Sequence, residues 1–186
     1  MNAELKSIIK ADERRCYMER IKIYLDTSVI SYLDQKDTPE KMKETQKLWK
    51  LFKEGQYEIY ISDIVVSEIN KCYMVKRNVL FDYLKQIDYN MIEIDENTVE
   101  LAEKIIDFGF LKRESYDDCR HMAAAILAGC DLIISWNFKH IVNARTIQGI
   151  KAVTAYEGYK GLQIYSPLTL LEEDKYGSND ERTGAQ

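Results

Sequence analysis

Short apolar runs alternate with amphipathic segments along most of the chain, and this alternation predicts β-strands separated by α-helices. The clearest strand is predicted over residues 21–25, where Ile21, Ile23 and Leu25 share one side of a run rich in β-branched and aromatic residues. Further strands are predicted at residues 58–62, 91–95, 131–135 and 161–166. The run over 131–135 is almost continuously apolar, which is typical of the middle of a parallel sheet.

Apolar residues three and four positions apart predict the helices. The first helix is predicted just after the first strand, and the second over residues 41–53. The third begins at Ser62 or Asp63 and runs through residue 73. The remaining helices are predicted over 76–86, 96–108, 119–128, 144–157 and 167–173. Because these connections are long enough for crossovers, the element order predicts a three-layer α/β sandwich on a mainly parallel sheet. We expect this single domain over 21–174, between an N-terminal arm over 1–20, in which Met18 is an alternative start, and a disordered polar tail over 175–186.

The composition narrows the class of protein. With 186 residues, 46% of them apolar and 31% charged, the chain is typical of a globular domain rather than of a disordered one. No apolar run approaches a membrane span and no signal peptide precedes the first charges, so we expect a cytoplasmic protein. The cysteines are widely spaced and form no C-x-x-C pair, which favours reduced thiols: Cys16, Cys72, Cys119 and Cys130. The net charge of −5 argues weakly against nucleic-acid binding, although acids gathered around a metal would bias that sum.

Asp26 stands where the first strand ends and the first helix begins. Thr27 and Ser28 follow it, and either hydroxyl can cap the helix by accepting its free amide hydrogens. Ligands and metals bind at the carboxyl edge of open parallel sheets, which makes Asp26 a candidate functional residue. A role limited to the turn or the cap is an equally good interpretation of this stretch alone.

Two more acids lie on apolar helix faces. Glu68 shares the face of Val65, where a carboxylate is costly to bury unless a positive charge meets it; a solvated place at the edge of the face is the alternative. Asp118 shares the inner face of a later helix with His121. Asp117 can interact with the helix dipole in its place, which leaves Asp118 without a structural role.

Polar residues also follow the fourth strand, where Asn137 and His140 come after Trp136. Because the carboxyl ends of parallel strands open on one rim, these side chains are expected near Asp26. Carboxylates that share a rim repel each other unless a divalent cation neutralises them, and Mg²⁺ or Mn²⁺ suits such oxygen ligands. A site of this kind can activate water for attack on a phosphodiester.

Together these motifs resemble the PIN-domain family over roughly residues 21–173. The matching stretches are Asp26-Thr27-Ser28 after an apolar strand, Ser67-Glu68-Ile69 on a helix, Asp118-x-x-His121-x-Ala123-x-Ala125, and Trp136-Asn137-Phe138-Lys139-His140 after a strand. The resemblance implies a Mg²⁺- or Mn²⁺-dependent ribonuclease that acts on RNA, often the toxin of a VapC-type toxin–antitoxin pair. It also implies a cognate antitoxin as partner and a homodimer as a reasonable assembly.

The resemblance assigns roles by position. Asp26, Glu68 and Asp118 would bind the metal and, with Asn137, form the catalytic set. Family members often carry an acid three residues after the Asn, and this chain has His140 there. An imidazole can ligate Mn²⁺ or contact phosphate but adds no negative charge, which leaves the number of metals open.

Basic and hydroxyl residues near these positions are candidates for substrate contacts. Thr27 or Ser28 is expected to bond to Asp26 or to a metal-bound water, and His140 to contact phosphate. Lys139 and Arg145 are expected to contact backbone phosphates, against the alternative of ordinary solvated charge.

Other classes of function are weighed against this one. Zinc binding by His121 with Cys119 and Cys130 matches no recognised ligand spacing, so core packing is the better interpretation of these residues. No glycine-rich phosphate loop is present, which argues against a nucleotide cofactor. A PIN-like module that binds RNA or protein without cutting is the second hypothesis, because the fourth acid is missing and the chain is acidic.

Overall fold

The computed structural model describes residues 20–183, with side chains through residue 175. The predicted N-terminal arm over 1–20 lies outside these residues except for Arg20. Five strands are present in the described part: β1 (Lys22–Leu25), β2 (Glu58–Ser62), β3 (Tyr89–Ile92), β4 (Leu132–Ile134) and β5 (Gln163–Tyr165). The α-helices of this part are α1 (Thr27–Ser31), α2 (Pro39–Lys53), α3 (Asp63–Asn70), α4 (Met74–Leu84), α5 (Glu96–Asp107), α6 (Tyr116–Leu127), α7 (Ala144–Glu157) and α8 (Pro167–Thr183). Two short 3₁₀ helices lie at Tyr32–Asp34 and Arg113–Ser115.

The strands form one parallel sheet in the order β3-β2-β1-β4-β5. In the register of the central strands, Ile23 of β1 lies opposite Ile59 of β2 and Leu132 of β4. Helices cover both faces, so the predicted three-layer α/β/α sandwich is confirmed, and its sheet is entirely parallel. No helix within residues 20–183 is both long and apolar enough to cross a membrane.

The hydrophobic core is built around β1 and α6. Ile23, Tyr24 and Leu25 of β1 are fully buried, as expected for the centre of a sheet with helices on both faces. Met122 and the three alanines that follow it in α6 are fully buried as well. The apolar face of α6 therefore carries Asp118 and His121 towards the interior.

Several elements differ in extent from the sequence-based expectation. β3 runs from Tyr89 to Ile92 rather than over 91–95, because it is an edge strand with mostly exposed residues and a weak hydrophobic signal. α8 continues to Thr183 rather than ending at 173, over polar residues that predicted a disordered tail. The Tyr57 hydroxyl donates to the Asp174 carboxylate at 3.4 Å, which connects α8 past its predicted end to the region before β2.

Gly149 lies inside α7, where the sequence predicts that a glycine weakens the helix. The Phe110 ring packs at the place where a Cβ atom of residue 149 would lie. The glycine thus gives up helix propensity and allows the aromatic ring to approach the helix backbone closely.

The sheet order has a topological switch point between β1 and β4. From β1 the chain moves outwards to β2 and β3, and then returns to place β4 on the other side of β1. A crevice for ligands forms at such a point, outside the carboxyl ends of the strands. Asp26 follows β1 and Ser135 follows β4, so both flank this crevice.

Candidate functional site

Asp26 is fixed at the carboxyl end of β1 and is only 6% exposed. Its backbone N–H donates to the Ile134 carbonyl at 3.1 Å, which continues the pairing of β1 with β4. Its carboxylate accepts a hydrogen bond from Ser135 Oγ at 2.6 Å and another from the Ser28 hydroxyl. Hydroxyl donors from both sides of the switch point therefore orient this carboxylate.

The expected capping of α1 by Thr27 or Ser28 is wrong. Asp26 occupies the N-cap position, and no side chain caps the helix there. The Thr27 hydroxyl donates to Glu68 and the Ser28 hydroxyl donates to Asp26, so both bond to acids instead. The prediction that Thr27 or Ser28 would bond to Asp26 is met by Ser28.

Glu68 of α3 points inward, towards α1 and α6. Its side chain is 28% exposed, and its Oε2 lies 3.3 Å from Nε2 of His121. Burial alone would raise the pKa of Glu68, but the hydrogen bonds from His121 and Thr27 and the charges of His121 and Lys71 lower it. The positive partner that a buried glutamate requires is therefore a histidine.

His121 lies at the centre of a buried polar chain. Its Nδ1 lies 2.7 Å from Tyr24 Oη, and that oxygen lies 2.6 Å from Ser62 Oγ. Its Nε2 lies 3.8 Å from Asp26 Oδ1, in addition to its contact with Glu68. Burial would lower the pKa of His121, but the hydrogen bond to Glu68 and the neighbouring carboxylates raise it above its ordinary value.

His121 is the main residue of the site that sequence reasoning did not assign. It is 2% exposed, so the prediction of a core position is correct, but its partners are polar. Tyr24 was not singled out, and Ser62 was predicted only as a possible helix cap, because an aromatic and a serine on adjacent strands show no local pattern; Ser62 is the N-cap residue of α3, but its side chain forms no capping bond. The motif Asp118-x-x-His121 was the available signal, since it places both side chains on one helix face.

Asp118 lies in the first turn of α6, where its side chain is 18% exposed. Its carboxylate accepts a hydrogen bond from Asn137 Nδ2 at 2.8 Å, and its other oxygen lies 2.9 Å from His140 Nδ1. Burial and the charge of Asp26 raise the pKa of Asp118, although His140 acts in the opposite direction. The adjacent Asp117 is exposed and lies 3.4 Å from Arg120, so only Asp118 is turned inward.

The loop after β4 brings Asn137 and His140 to Asp118. The Asn137 side chain also accepts the His140 backbone N–H at 3.0 Å, which fixes the two residues relative to each other. Ser135 Oγ accepts the Asn137 backbone N–H at 2.9 Å, and this joins the loop to the Asp26 side of the crevice. His140 thus occupies the expected fourth position and contacts Asp118 directly.

Lys139 and Arg145, the two basic candidates, form no ion pair with the three acids within residues 20–175. Lys139 is exposed, and its carbonyl accepts a hydrogen bond from Asn143 Nδ2 at 3.2 Å. The Arg145 guanidinium donates to the Gly109 carbonyl at 3.0 Å, beyond the end of α5. Lys139 therefore lies next to the crevice in the chain, whereas Arg145 is engaged elsewhere.

Zinc binding by the cysteines near His121 is not supported. Burial raises the pKa of both Cys119 and Cys130 to about 12, whereas zinc is bound by the thiolate form. Both thiols are free and buried in the core. The buried positions of Cys119 and Cys130 are consistent with a role in core packing.

The donor chemistry of the site fits a hard divalent cation. Asp26, Glu68 and Asp118 bring carboxylates to one crevice, and their charges converge on His121, whose pKa all three raise. Oxygen ligands of this kind suit Mg²⁺ or Mn²⁺. Within the described residues the acids are held by hydrogen bonds to neighbouring side chains, and no three His, Cys, Asp or Glu groups are already arranged as a metal cluster.

A parallel α/β/α domain with acids at its topological switch point defines the class of protein. The family model of the PIN domain matches residues 23–140, which is more than half of the chain. The chain belongs to the PIN-domain family.

Comparisons with whole proteins add a distant structural likeness. A chain from the crystal structure of VapBC2 from Rickettsia felis, bound to a DNA fragment from their promoter, is similar with a TM-score of 0.48 and 15% sequence identity. The match covers 78% of this chain and 98% of that chain. No curated protein matches this chain.

Proposed function

We propose that this PIN-domain protein is a metal-dependent endoribonuclease that hydrolyses RNA phosphodiester bonds. The observation that carries the proposal is the convergence of three carboxylates, from the end of β1, from α3 and from α6, at the carboxyl edge of the sheet. His121 Nε2 lies 3.3 Å from Glu68 Oε2 and 3.8 Å from Asp26 Oδ1, and Asp118 lies three residues before His121 on α6. Carboxylates that share one edge of a sheet favour a divalent cation.

Asp26, Glu68 and Asp118 are the proposed metal ligands. Bound Mg²⁺ or Mn²⁺ supplies the Lewis acid for phosphodiester hydrolysis, which activates water and stabilises the leaving oxygen. The chain contributes preorganisation, because each ligand carboxylate is already oriented by hydrogen bonds from neighbouring side chains. Rigid placement of the ligands reduces the reorganisation that the reaction requires.

The other polar residues position ligands or substrate. Asn137 donates to Asp118 and completes the proposed catalytic set, while Thr27 and Ser28 orient Glu68 and Asp26. His140 and Lys139 are proposed to contact the phosphate backbone at the crevice. Arg145 would reach a phosphate only after release from the Gly109 carbonyl.

A cleavage assay with Asp26→Asn tests the proposal. RNA is incubated with the wild type and with the variant in the presence of Mn²⁺, Mg²⁺ or EDTA, and the products are resolved by gel electrophoresis. We expect cutting by the wild type with a divalent cation, none with EDTA, and none by the variant at an unchanged far-UV circular dichroism spectrum. Equal cleavage rates for the two proteins would refute the assignment of Asp26.

A PIN-like module that binds RNA or protein without cutting is the second candidate function. It is favoured by His140 at the usual position of the fourth acid, and by the existing hydrogen bonds of Asp118 to Asn137 and His140. RNA binding that Asp26→Asn leaves unchanged, together with no cutting in any cation, would support this candidate and reject the nuclease.

Membership of the family also suggests the biological setting. We propose that the protein acts in the cytoplasm as the toxin of a type II toxin–antitoxin pair, as a homodimer with a cognate antitoxin. Induced expression in a bacterial host should then arrest growth, and the Asp26→Asn variant should not. Arrest of equal strength by both would contradict a toxin role that depends on the proposed site.

A further inference from the structure

A cluster of three aromatic rings surrounds one lysine beside the crevice. The Lys41 ammonium lies 5.0 Å from the ring centroid of Tyr32, 5.2 Å from that of Trp136 and 5.5 Å from that of Phe138. The Trp136 ring also packs against Tyr32 at 5.7 Å and against Phe138 at 6.1 Å. We refer to these four residues as the aromatic platform.

Hydrogen bonds anchor the platform to the core and to the candidate site. Trp136 Nε1 donates to Thr45 Oγ1 at 2.8 Å, and Thr45 Oγ1 donates to the Lys41 carbonyl at 2.7 Å, so the indole is fixed to α2. The Trp136 backbone N–H donates to Ser28 Oγ at 2.9 Å, and Ser28 bonds to Asp26. The platform is therefore rigidly connected to the residues that orient the first acid.

Lys41 contacts aromatic rings, whereas Lys47 and Lys104 form ion pairs with carboxylates. Lys47 on the same helix pairs with Glu44 at 2.7 Å, and Lys104 lies 2.8 Å from Glu157. Within residues 20–175, Lys41 forms no ion pair with a carboxylate, and its recorded contacts are the three ring faces. Its ammonium therefore keeps hydrogen-bond donors for an anionic ligand.

Phe138 is a partly exposed aromatic residue in the loop that carries Asn137 and His140. It is 46% exposed, although a phenylalanine is usually buried. Its neighbour Asn137 bonds to Asp118, so a group stacked on Phe138 lies one residue away from the candidate site. Exposed aromatic rings combined with a cation are typical of single-stranded nucleic-acid binding.

We propose that the aromatic platform is a nucleotide-binding subsite for single-stranded RNA, in which a base stacks on Phe138 and Lys41 binds an adjacent phosphate. This inference rests on the proposed function, since it assigns residues beside the same crevice to the binding of one nucleotide of the RNA. A duplex keeps its bases stacked inside the helix, so it offers no free base to Phe138. The subsite thus selects unpaired RNA.

Fluorescence anisotropy with a labelled single-stranded oligoribonucleotide in EDTA tests the inference without cleavage. Phe138→Leu should weaken binding by about tenfold, the effect of losing one stacked base. Phe108→Leu is the matched control, because Phe108 is 41% exposed and also packs edge-on against one ring, that of Tyr156 at 5.7 Å. We expect Phe108→Leu to bind like the wild type.

Lys41→Gln tests the phosphate contact through its salt dependence. Loss of one phosphate contact on a single strand should reduce the slope of log K against log salt concentration by about 0.7. Lys47→Gln is the control on the same helix and should leave the slope unchanged. A slope equal to that of the wild type in Lys41→Gln would contradict the contact, whatever the stability of the variant.

The outcomes separate this inference from the nuclease proposal. Binding that depends on Phe138 and Lys41 without cleavage in Mn²⁺ would keep the subsite and reject the nuclease. Cleavage by the wild type, with Phe138→Leu unchanged in binding and KM, would keep the nuclease and reject the subsite. Equal affinity for the single strand and for a duplex of the same sequence would also overturn the inference. So would the absence of RNA binding by the wild type, as expected if the platform binds a protein partner instead.

Discussion

The acids at the two ends of the sheet have different kinds of partners. At the amino edge, Asp131 lies 2.7 Å from the Lys160 ammonium and accepts the Lys22 backbone N–H at 2.9 Å. Burial would raise the pKa of Asp131, but these two partners lower it. At the carboxyl edge, within residues 20–175, no lysine or arginine forms an ion pair with Asp26, Glu68 or Asp118. Burial raises the pKa of Asp118, whereas the pKa of Glu68 is lowered by its contact with His121 despite partial burial.

The difference indicates which charges the chain neutralises for its own stability. Asp131 has a cation of the protein as partner, so its interactions are complete in the folded chain. At the carboxyl edge Glu68 has His121 as its positive partner, whereas the pKa of Asp118 is raised by burial and by the charge of Asp26 although His140 opposes this. We infer that an external cation completes this edge, and the predictions below test the contrast between the two ends.

The largest expected effect is on RNA cleavage. Asp118→Asn should reduce the rate by at least about 10²-fold, since changes to the surroundings of metal ligands alone cost 10- to 100-fold. Asp131→Asn should cleave at the wild-type rate, because that residue lies at the opposite end of its strand. Initial rates in Mn²⁺ measure both, and a comparable loss in Asp131→Asn would show that the two edges are not functionally distinct.

A large effect on stability is expected from the buried polar chain below the carboxyl edge. Tyr24→Phe removes the hydroxyl that joins Ser62 to His121, and should lower the free energy of unfolding by about 1–3 kcal/mol. Tyr60, the register partner of Tyr24 in β2, is the control, because within residues 20–175 its hydroxyl bonds only to Glu58, at the start of the same strand. Tyr60→Phe should change stability by less than about 0.5 kcal/mol in urea denaturation. Equal losses of stability in the two variants would mean that the hydrogen bonds from Ser62 through Tyr24 to His121 make no specific contribution to the free energy of unfolding.

A smaller effect is expected at the amino edge. Asp131→Asn removes the ion pair with Lys160 and should destabilise the fold by about 0.5–1 kcal/mol, because the pair is partly exposed and solvent screens it. The lowered pKa of Asp131 means that this contribution is present above its ordinary pKa and is lost as the pH falls through the folded value. Thermal unfolding should therefore distinguish the variant from the wild type at neutral pH and not in acid.

The smallest expected effect is on the stability contributed by Asp118 at the carboxyl edge, and its dependence on pH has the opposite sign to that of Asp131. Because folding raises the pKa of Asp118, the favourable contribution of its protonated form is complete below the ordinary value of 3.8 and is lost as the pH rises through the folded pKa. Asp118→Asn should therefore raise Tm relative to the wild type at neutral pH, without metal, and the gain should disappear in acid. A lower Tm for the variant at neutral pH would show that the hydrogen bonds of Asp118 outweigh its charge.

The sequence was sufficient for the fold because its signals are local. Strand periodicity, helix faces and long crossovers specify a parallel α/β sheet, although β3 is displaced and several helices, α8 among them, differ in their bounds from the prediction. Asp26, Glu68 and Asp118 could be selected because each stands at a strand end or on an apolar helix face. Their common rim followed from the parallel order of the strands.

The parts that sequence reasoning missed depend on contacts between distant residues. Tyr24 and His121 are 97 positions apart, and Trp136 and Thr45 are 91 apart, so no local pattern links them. His121 lies among apolar residues of α6 and was therefore interpreted as a packing residue. Lys41 has the sequence context of an ordinary solvated lysine, and only the fold places three rings around it.

Calorimetric titration with Mn²⁺ tests the central claim most directly, that the carboxyl edge requires an external cation. The wild type, Asp118→Asn and Asp131→Asn are titrated in parallel at neutral pH. We predict saturable binding by the wild type and by Asp131→Asn, and loss of binding in Asp118→Asn. Absence of binding by the wild type, or equal binding by all three proteins, would contradict the account.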